Sequence, residues 1–120
     1  MNELLKGQRI LIVEDNFYMA LDLGQMIEDL GGEVVGPAGR LAEGLTLAKS
    51  GGLAAAILDA KLDGEDSFSL ADQLLAAHVP VVFATGYDSS ILPKRFADLP
   101  LLSKPFDAAS VENAIRSVTA

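Results

Sequence analysis

Four ionisable residues stand directly after short apolar segments of this sequence. They are Glu14, Asp15, Asp59 and Lys104. If the three carboxylates meet, they repel one another and need a cation to stay ionised together. Carboxylate oxygens are ligands that suit Mg²⁺, and a lysine ammonium can bind a phosphate oxygen. The residue types therefore indicate a site for Mg²⁺ and a phosphoryl group.

A hydroxyl residue occupies the equivalent position after a further apolar segment. Thr85 follows the run 81–84, and Gly86 leaves room for a group to enter. In phosphoryl transfer to an aspartate, the metal and a lysine stabilise charge on the phosphoryl oxygens while the carboxylate attacks in line. Of the three acids, we expect Asp59 to be the one that attacks.

Five apolar segments are the candidate strands that position these residues. Most of them do not alternate polar with apolar residues, which is typical of strands covered on both faces in a parallel sheet. The segments are 9–13, 33–36, 54–58, 81–84 and 99–103. Between them, apolar residues recur at helical spacing.

The alternation of strands and helices predicts one doubly wound α/β domain over residues 1–120. Pro93 is tolerated only at a helix start, which leaves barely one turn for a fourth helix between Tyr87 and Asp98. We therefore expect that helix to be short or mobile. Ligands of open parallel sheets bind beyond the carboxyl ends of the strands, so the site residues should share one edge.

Composition excludes several classes of function. The chain has 120 residues, no cysteine, and nine basic against 17 acidic residues, for a net charge of −8. This charge disfavours direct contact with nucleic acid or an anionic membrane, and the lack of cysteine excludes disulfides and thiolate metal sites. The longest apolar run, 53–58, is too short to cross a bilayer, and no signal peptide is visible. We expect a cytoplasmic domain.

The motifs at the strand ends resemble those of the receiver domains of two-component response regulators. The matching motifs, in order, are Glu14-Asp15, Asp59, Thr85-Gly86 and Lys104-Pro105-Phe106. The resemblance covers essentially the whole chain. It implies a flavodoxin-like, five-stranded parallel sheet with the strand order 2-1-3-4-5, flanked by five helices.

The same resemblance implies a function. Asp59 would accept a phosphoryl group from a sensor histidine kinase or a histidine phosphotransfer protein. The modification would switch the surface of the last two strands and the adjacent helices, which would act on an unknown downstream protein. Such a domain is not an enzyme, apart from its own phosphorylation on Asp59 and a slow loss of that phosphate.

The resemblance also implies a metal site and a phosphate site. Asp15, Asp59 and the backbone carbonyl of Lys61 would ligate Mg²⁺, with Glu14 acting through water. The phosphoryl oxygens would be bound by Thr85, Gly86 and Lys104, and the Lys104–Pro105 peptide bond would be cis.

One position departs from the pattern of the family. Receivers usually carry Tyr or Phe three residues before the lysine, where this chain has Leu101. The run 83–87, Phe-Ala-Thr-Gly-Tyr, resembles a receiver subgroup whose motif ends in an aromatic residue. Tyr87 could therefore take part of the switching role, or shield the aspartyl phosphate from water.

Two other functions stay open. A pseudo-receiver would dock onto a partner without phosphate, although the complete set of acids, threonine and lysine speaks against it. A metal-dependent hydrolase would turn over phosphate esters repeatedly instead of taking one stoichiometric label.

Overall fold

The computed structural model describes residues 4–86 and 92–119. The strands are β1 Arg9–Val13, β2 Glu33–Ala38, β3 Leu53–Asp59, β4 Lys61–Leu62, β5 Glu65–Asp66, β6 Val81–Thr85 and β7 Leu101–Ser103. The helices are α1 Phe17–Asp29, α2 Leu41–Ala48, α3 Phe68–Ala76 and α4 Ala108–Thr119. In the described residues, none of these helices combines the length and the apolar composition needed to cross a membrane.

Five strands form one parallel sheet in the order β2-β1-β3-β6-β7. This is the predicted 2-1-3-4-5 order, with the two short strands β4 and β5 paired separately as an antiparallel hairpin. The strand order reverses between β1 and β3, which lie side by side, and β3 is the central strand of the five. The predicted doubly wound, flavodoxin-like fold is confirmed.

Both faces of the central strands are buried, which explains why the sequence does not alternate. Ile10 and Ile12 of β1 belong to a core cluster with residues of α1 and α4. Leu11 and Val13 belong to a second cluster with residues of α2 and α3. Each strand residue thus meets a helix whichever way it points, and the segment is apolar throughout.

Local signals define where the first helix starts and ends. The side chain of Asn16 accepts the N–H of Met19 at 3.1 Å, as an N-cap residue does. After the helix, Gly31 adopts a φ of 89°, a left-handed conformation that favours glycine.

The segment between β6 and β7 departs from the predicted five helices. Its described part holds a single 3₁₀ turn, Lys94–Phe96, preceded by Pro93. The expectation of a short helix is met, but four α-helices rather than five flank the sheet in the described residues. Phe96 is buried, with its ring centroid 5.1 Å from that of Phe83, and this aromatic side chain anchors the turn to the core.

Candidate functional site

The ionisable residues singled out in the sequence lie together at the carboxyl edge of the sheet. Glu14 and Asp15 follow β1, Asp59 ends β3, and Lys104 follows β7. Carboxylate oxygens of the three acids lie within 4.8 Å of one another. Residues 90 positions apart in sequence (14 and 104) meet because parallel strands all end at the same edge.

Lys104 joins two of the buried acids. Its Nζ lies 2.6 Å from Oε1 of Glu14 and donates to Oδ2 of Asp59 at 2.9 Å. The side chains of Lys104, Glu14 and Asp59 are 12%, 2% and 9% exposed. Three carboxylates against one ammonium leave two negative charges in the cluster when all groups are ionised.

Main-chain N–H groups hold the other carboxylate oxygens. The N–H of Lys61 donates to Oδ1 of Asp59 at 3.2 Å, while the side chain of Lys61 is exposed. The N–H of Asp63 donates to Oδ2 of Asp15 at 2.8 Å. The segment after β3 therefore supplies donors to one acid at the end of β3 and to another that follows β1.

The hairpin of β4 and β5 positions these donors, and it is not among the elements predicted from the sequence. Its turn residues Asp63 and Gly64 have φ values of 44° and 88°. Positive φ at both positions and an Asp-Gly pair are typical of a two-residue type I′ turn, so the Asp-Gly pair was the signal that could have revealed the hairpin. Its flanking strands have only two residues each, too few to show an alternating pattern.

Ser67 is a second residue at the site that the sequence analysis did not assign there. It is fully buried, and its hydroxyl donates to the backbone carbonyl of Asp59 at 2.7 Å. In the sequence it marks only the start of α3. No local signal showed that its side chain turns toward the sheet edge.

Burial and neighbouring charges shift the pKa values of the cluster. Burial raises the pKa of Glu14 to about 7, although the ammonium of Lys104 and the N–H of Asn16 oppose the shift. Burial lowers the pKa of Lys104, but hydrogen bonds to Asp59 and Glu14 outweigh it, and the pKa of Lys104 is raised. Burial alone would raise the pKa of Asp15, but other interactions, led by the hydrogen bond from the N–H of Asp63, bring this pKa below its usual value. At neutral pH, Asp15 and Lys104 stay charged while Glu14 titrates.

Thr85 and Gly86 lie at the carboxyl end of β6, where Gly86 borders the open side of the site. Thr85 is buried at the end of β6, and its backbone carbonyl accepts the N–H of Lys104 at 2.9 Å. A Cβ built on Gly86 would meet no atom within 4 Å, so the space beside it is open. A cleft of about 450 Å³ adjoins it, lined by Asp15, Asn16, Met19, Gly86, Lys104 and Pro105.

The remaining candidates lie at the margin of the site or outside the described residues. The Lys104–Pro105 peptide bond is cis, as the resemblance implies. Leu101 lies on the edge strand β7 and is 37% exposed. Tyr87 falls on the residues that the structure does not describe, so its shielding or switching role stays a prediction.

The donor set fits a hard divalent cation. Glu14, Asp15 and Asp59 can each direct a carboxylate oxygen at one point, and the cluster carries excess negative charge. Mg²⁺ prefers oxygen ligands, among them carboxylates, whose negative charge balances that of the ion. The cleft beside Gly86 also leaves room for water or a phosphoryl group next to such an ion.

Comparison with known proteins identifies the family. No family model matches the chain. The structure of SdrG from Sphingomonas melonis Fr1 matches over 100% of both chains, with 38% identity and a TM-score of 0.85. The response regulator PhyR from Brucella abortus matches 98% of this chain at 28% identity and a TM-score of 0.81. The chain belongs to the response regulator receiver domains.

Other relatives show how this receiver domain compares in length. The transcriptional regulatory protein PdtaR of Mycobacterium tuberculosis is 30% identical over 90% of this receiver domain, which covers 55% of PdtaR. The receiver domain covers 49% of the Brucella PhyR chain. It thus spans about half the length of these relatives.

A BeF3-activated conformation of SdrG also matches, with 37% identity and a TM-score of 0.80 over 93% of this chain and 96% of that one.

Proposed function

We propose that this receiver domain is phosphorylated on Asp59 by a sensor histidine kinase or a histidine phosphotransfer protein. The observation that carries the proposal is the pairing of the Asp59 carboxylate with the ammonium of Lys104 beside two further acids. Glu14, with 2% of its side chain exposed, is less accessible to a phosphodonor than Asp59, with 9%. Asp15 bonds the N–H of Asp63 and is better placed as a metal ligand.

The transfer step needs little covalent chemistry from the protein. A carboxylate oxygen of Asp59 attacks the phosphorus of the phosphohistidine, and the bond from phosphorus to the imidazole nitrogen breaks. The nitrogen leaves with the electron pair, and an acyl phosphate forms on Asp59. Lys104 stabilises the charge that develops on the phosphoryl oxygens, with the hydroxyl of Thr85 and the backbone at Gly86 as further contacts.

Mg²⁺ is the proposed cofactor. Asp15, Asp59 and the backbone carbonyl of Lys61 would hold it, with Glu14 acting through water. When bound, the ion supplies positive charge that offsets the phosphoryl oxygens. The excess negative charge of the cluster supports this assignment, because Lys104 alone does not balance three carboxylates.

Phosphorylation would act on the surface formed by β6, β7 and the elements beside them. It replaces one carboxylate charge by roughly two negative charges and three acceptor oxygens. The ammonium of Lys104 would move with the phosphoryl group. The backbone N–H of Lys104 also donates to the carbonyl of Thr85, and this hydrogen bond couples the ends of β6 and β7. Changes of this kind shift two-state equilibria by about 1–3 kcal/mol, enough to alter the affinity for a downstream protein.

Tyr87 and Leu101 carry the finer proposals. Tyr87 completes a Phe-Ala-Thr-Gly-Tyr run and would shield the acyl phosphate, so that its hydrolysis is slow. Leu101 stands where other receivers switch with an aromatic ring, which leaves Tyr87 as the aromatic residue available for that role. The domain would work in the cytoplasm, where such kinases present their phosphohistidine.

The phosphodonor protein would dock on the first turns of α1. Phe17, Tyr18 and Leu21 are 67%, 76% and 52% exposed, and they follow the acids of the site by only a few residues. Exposed apolar side chains grouped beside a reactive group are typical of a protein contact surface. A partner bound there would bring its histidine toward the cleft beside Gly86.

The proposal is tested by labelling with acetyl phosphate in Mg²⁺, followed by intact-mass spectrometry. The wild type should gain one phosphoryl group, and Asp59→Asn should gain none. Asp63→Asn is the matched control, because it removes a neighbouring exposed acid and asparagine tolerates the positive φ of this position. Labelling of Asp59→Asn at the wild-type rate would defeat the assignment.

The alternatives predict different results in the same sample. A phosphate-independent pseudo-receiver would show no NMR response to Mg²⁺ or beryllofluoride at the amides of Lys61 and Gly86. A hydrolase would release more than one phosphate per chain. We expect responses to both ligands and a single stoichiometric label.

A further inference from the structure

Ser67 lies at the start of α3, where a serine normally caps the helix with its hydroxyl. Its side chain makes no capping hydrogen bond. Instead, Oδ1 of Asp66 accepts the N–H of Phe68 at 3.1 Å. The Ser67 hydroxyl is buried and donates to the carbonyl of Asp59. Helix capping therefore does not account for this serine.

Two hydrogen bonds from Ser67 close the loop that carries the hairpin. Its hydroxyl bonds the carbonyl of Asp59 at 2.7 Å, and its N–H bonds the carbonyl of Ala60 at 3.1 Å. The N–H of Ala60 in turn donates to the carbonyl of Ala84 in β6 at 3.0 Å. The peptide between Asp59 and Ala60 is thus held by β6 on one side and by Ser67 on the other.

This peptide sets the direction in which the Asp59 side chain leaves the backbone. The carboxylate must accept hydrogen bonds from both the N–H of Lys61 and the ammonium of Lys104, which donate to its two different oxygens. It must also face the phosphorus of the donor in line. A misplacement of about 1 Å in such a step can cost about 100-fold in rate.

We propose that Ser67 is a positioning residue for phosphoryl transfer: its hydroxyl holds the Asp59–Ala60 peptide so that the Asp59 carboxylate keeps its orientation. This inference rests on the proposed function of Asp59. The role assigned to Ser67 needs no contact with the phosphoryl group or the metal; it acts through the main chain of Asp59.

Labelling rates with acetyl phosphate at saturating Mg²⁺ give the first test. Ser67→Ala removes the donor and leaves the buried Asp59 carbonyl without this partner. Ser67→Cys keeps the shape of the side chain, with a somewhat larger sulfur atom, but donates only weakly. The control is Ser117→Ala, because the Ser117 hydroxyl also donates to a main-chain carbonyl, that of Ala114 at 2.6 Å, but lies on α4.

Rates are compared under conditions in which denaturant curves show every variant folded. Both Ser67 variants should label about 10–100-fold more slowly than the wild type, and Ser117→Ala should label normally. Wild-type rates in Ser67→Cys would mean that only volume matters, and this would overturn the proposal. Equal rates in Ser67→Ala and Ser117→Ala would overturn it as well.

An NMR measurement without any phosphodonor separates this inference from the proposed function. The chemical shift of the Lys61 amide changes when Asp59 is replaced by alanine, and the size of this change reports the hydrogen bond from that amide to the Asp59 carboxylate. In a Ser67→Ala background this change should fall by about half or more, because the carboxylate has lost its orientation. An undiminished change would refute the positioning role. If the wild type takes no label but the change depends on Ser67, the phosphoacceptor assignment fails and the positioning of the carboxylate stands.

Discussion

Replacing Lys104 by methionine removes the cation that joins two buried carboxylates. Methionine has a similar length and no charge, so packing is largely kept. Glu14 and Asp59 lose an ammonium at 2.6 and 2.9 Å, and their side chains are only 2% and 9% exposed. Leaving a buried charge without its partner costs about 3–5 kcal/mol. Protonation of Glu14 can relieve part of this, so we expect the variant to lose about 2–3 kcal/mol of unfolding free energy.

Urea denaturation in EDTA at about pH 8 measures this loss. The same titration in millimolar Mg²⁺ should show a smaller difference from the wild type, because a divalent cation can replace the missing charge. Lys61→Met is the matched control, since it removes an exposed ammonium from the same loop region and should change the stability little.

Two results would refute the reasoning. If Lys104→Met costs no more than Lys61→Met, the ion pairs do not contribute as their burial implies. If Mg²⁺ raises the stability of neither protein, the acids do not hold the metal. The first result concerns the electrostatics of the cluster, and the second concerns the cofactor.

Two further predictions concern stability. Burial raises the folded-state pKa of Glu14 from 4.5 to about 7, so its contribution to the stability of the metal-free protein is full below about pH 4.5 and is lost as pH rises through 7. The change should amount to about 3 kcal/mol and vanish in Glu14→Gln but not in Glu28→Gln; parallel pH profiles for wild type and Glu14→Gln would contradict it. On α2, a Cβ at Gly44 would lie 2.9 Å from a leucine methyl of α3, so Gly44→Ala should destabilise by about 1–2 kcal/mol in urea. Gly24→Ala on α1 meets its nearest atom at 3.8 Å and should stabilise by about 0.5–1 kcal/mol; a gain in both variants would show that α2 does not pack this closely.

Much of the fold could be predicted because its determinants are local. The segment 9–13 has apolar residues in succession because both faces of β1 are covered, and its bounds were predicted correctly. Asn16 caps α1 as its residue type suggests. Pro93 limited the next element to about one turn, and the structure has a single 3₁₀ turn after it.

The candidate site was harder to predict because its contacts connect distant strands. The sequence predicted that Glu14, Asp59 and Lys104 share an edge, but not that Lys104 bonds both acids. It also did not predict that Glu14 is a buried partner of the Lys104 ammonium, or that burial raises the pKa of Glu14 to about 7. Burial of a carboxylate depends on everything packed around it and has no signature in its own neighbours along the chain.

The order of residue types along the chain determined the α/β class and which side chains reach the carboxyl edge. Those properties follow from periodicity and from the geometry of parallel strands, which need only neighbouring residues. Tertiary structure alone decided the orientation of the Ser67 hydroxyl, the ion pairs of Lys104 and the placing of two N–H groups by the hairpin. Each of these depends on distances between segments far apart in sequence, and such distances exist only once the core has packed.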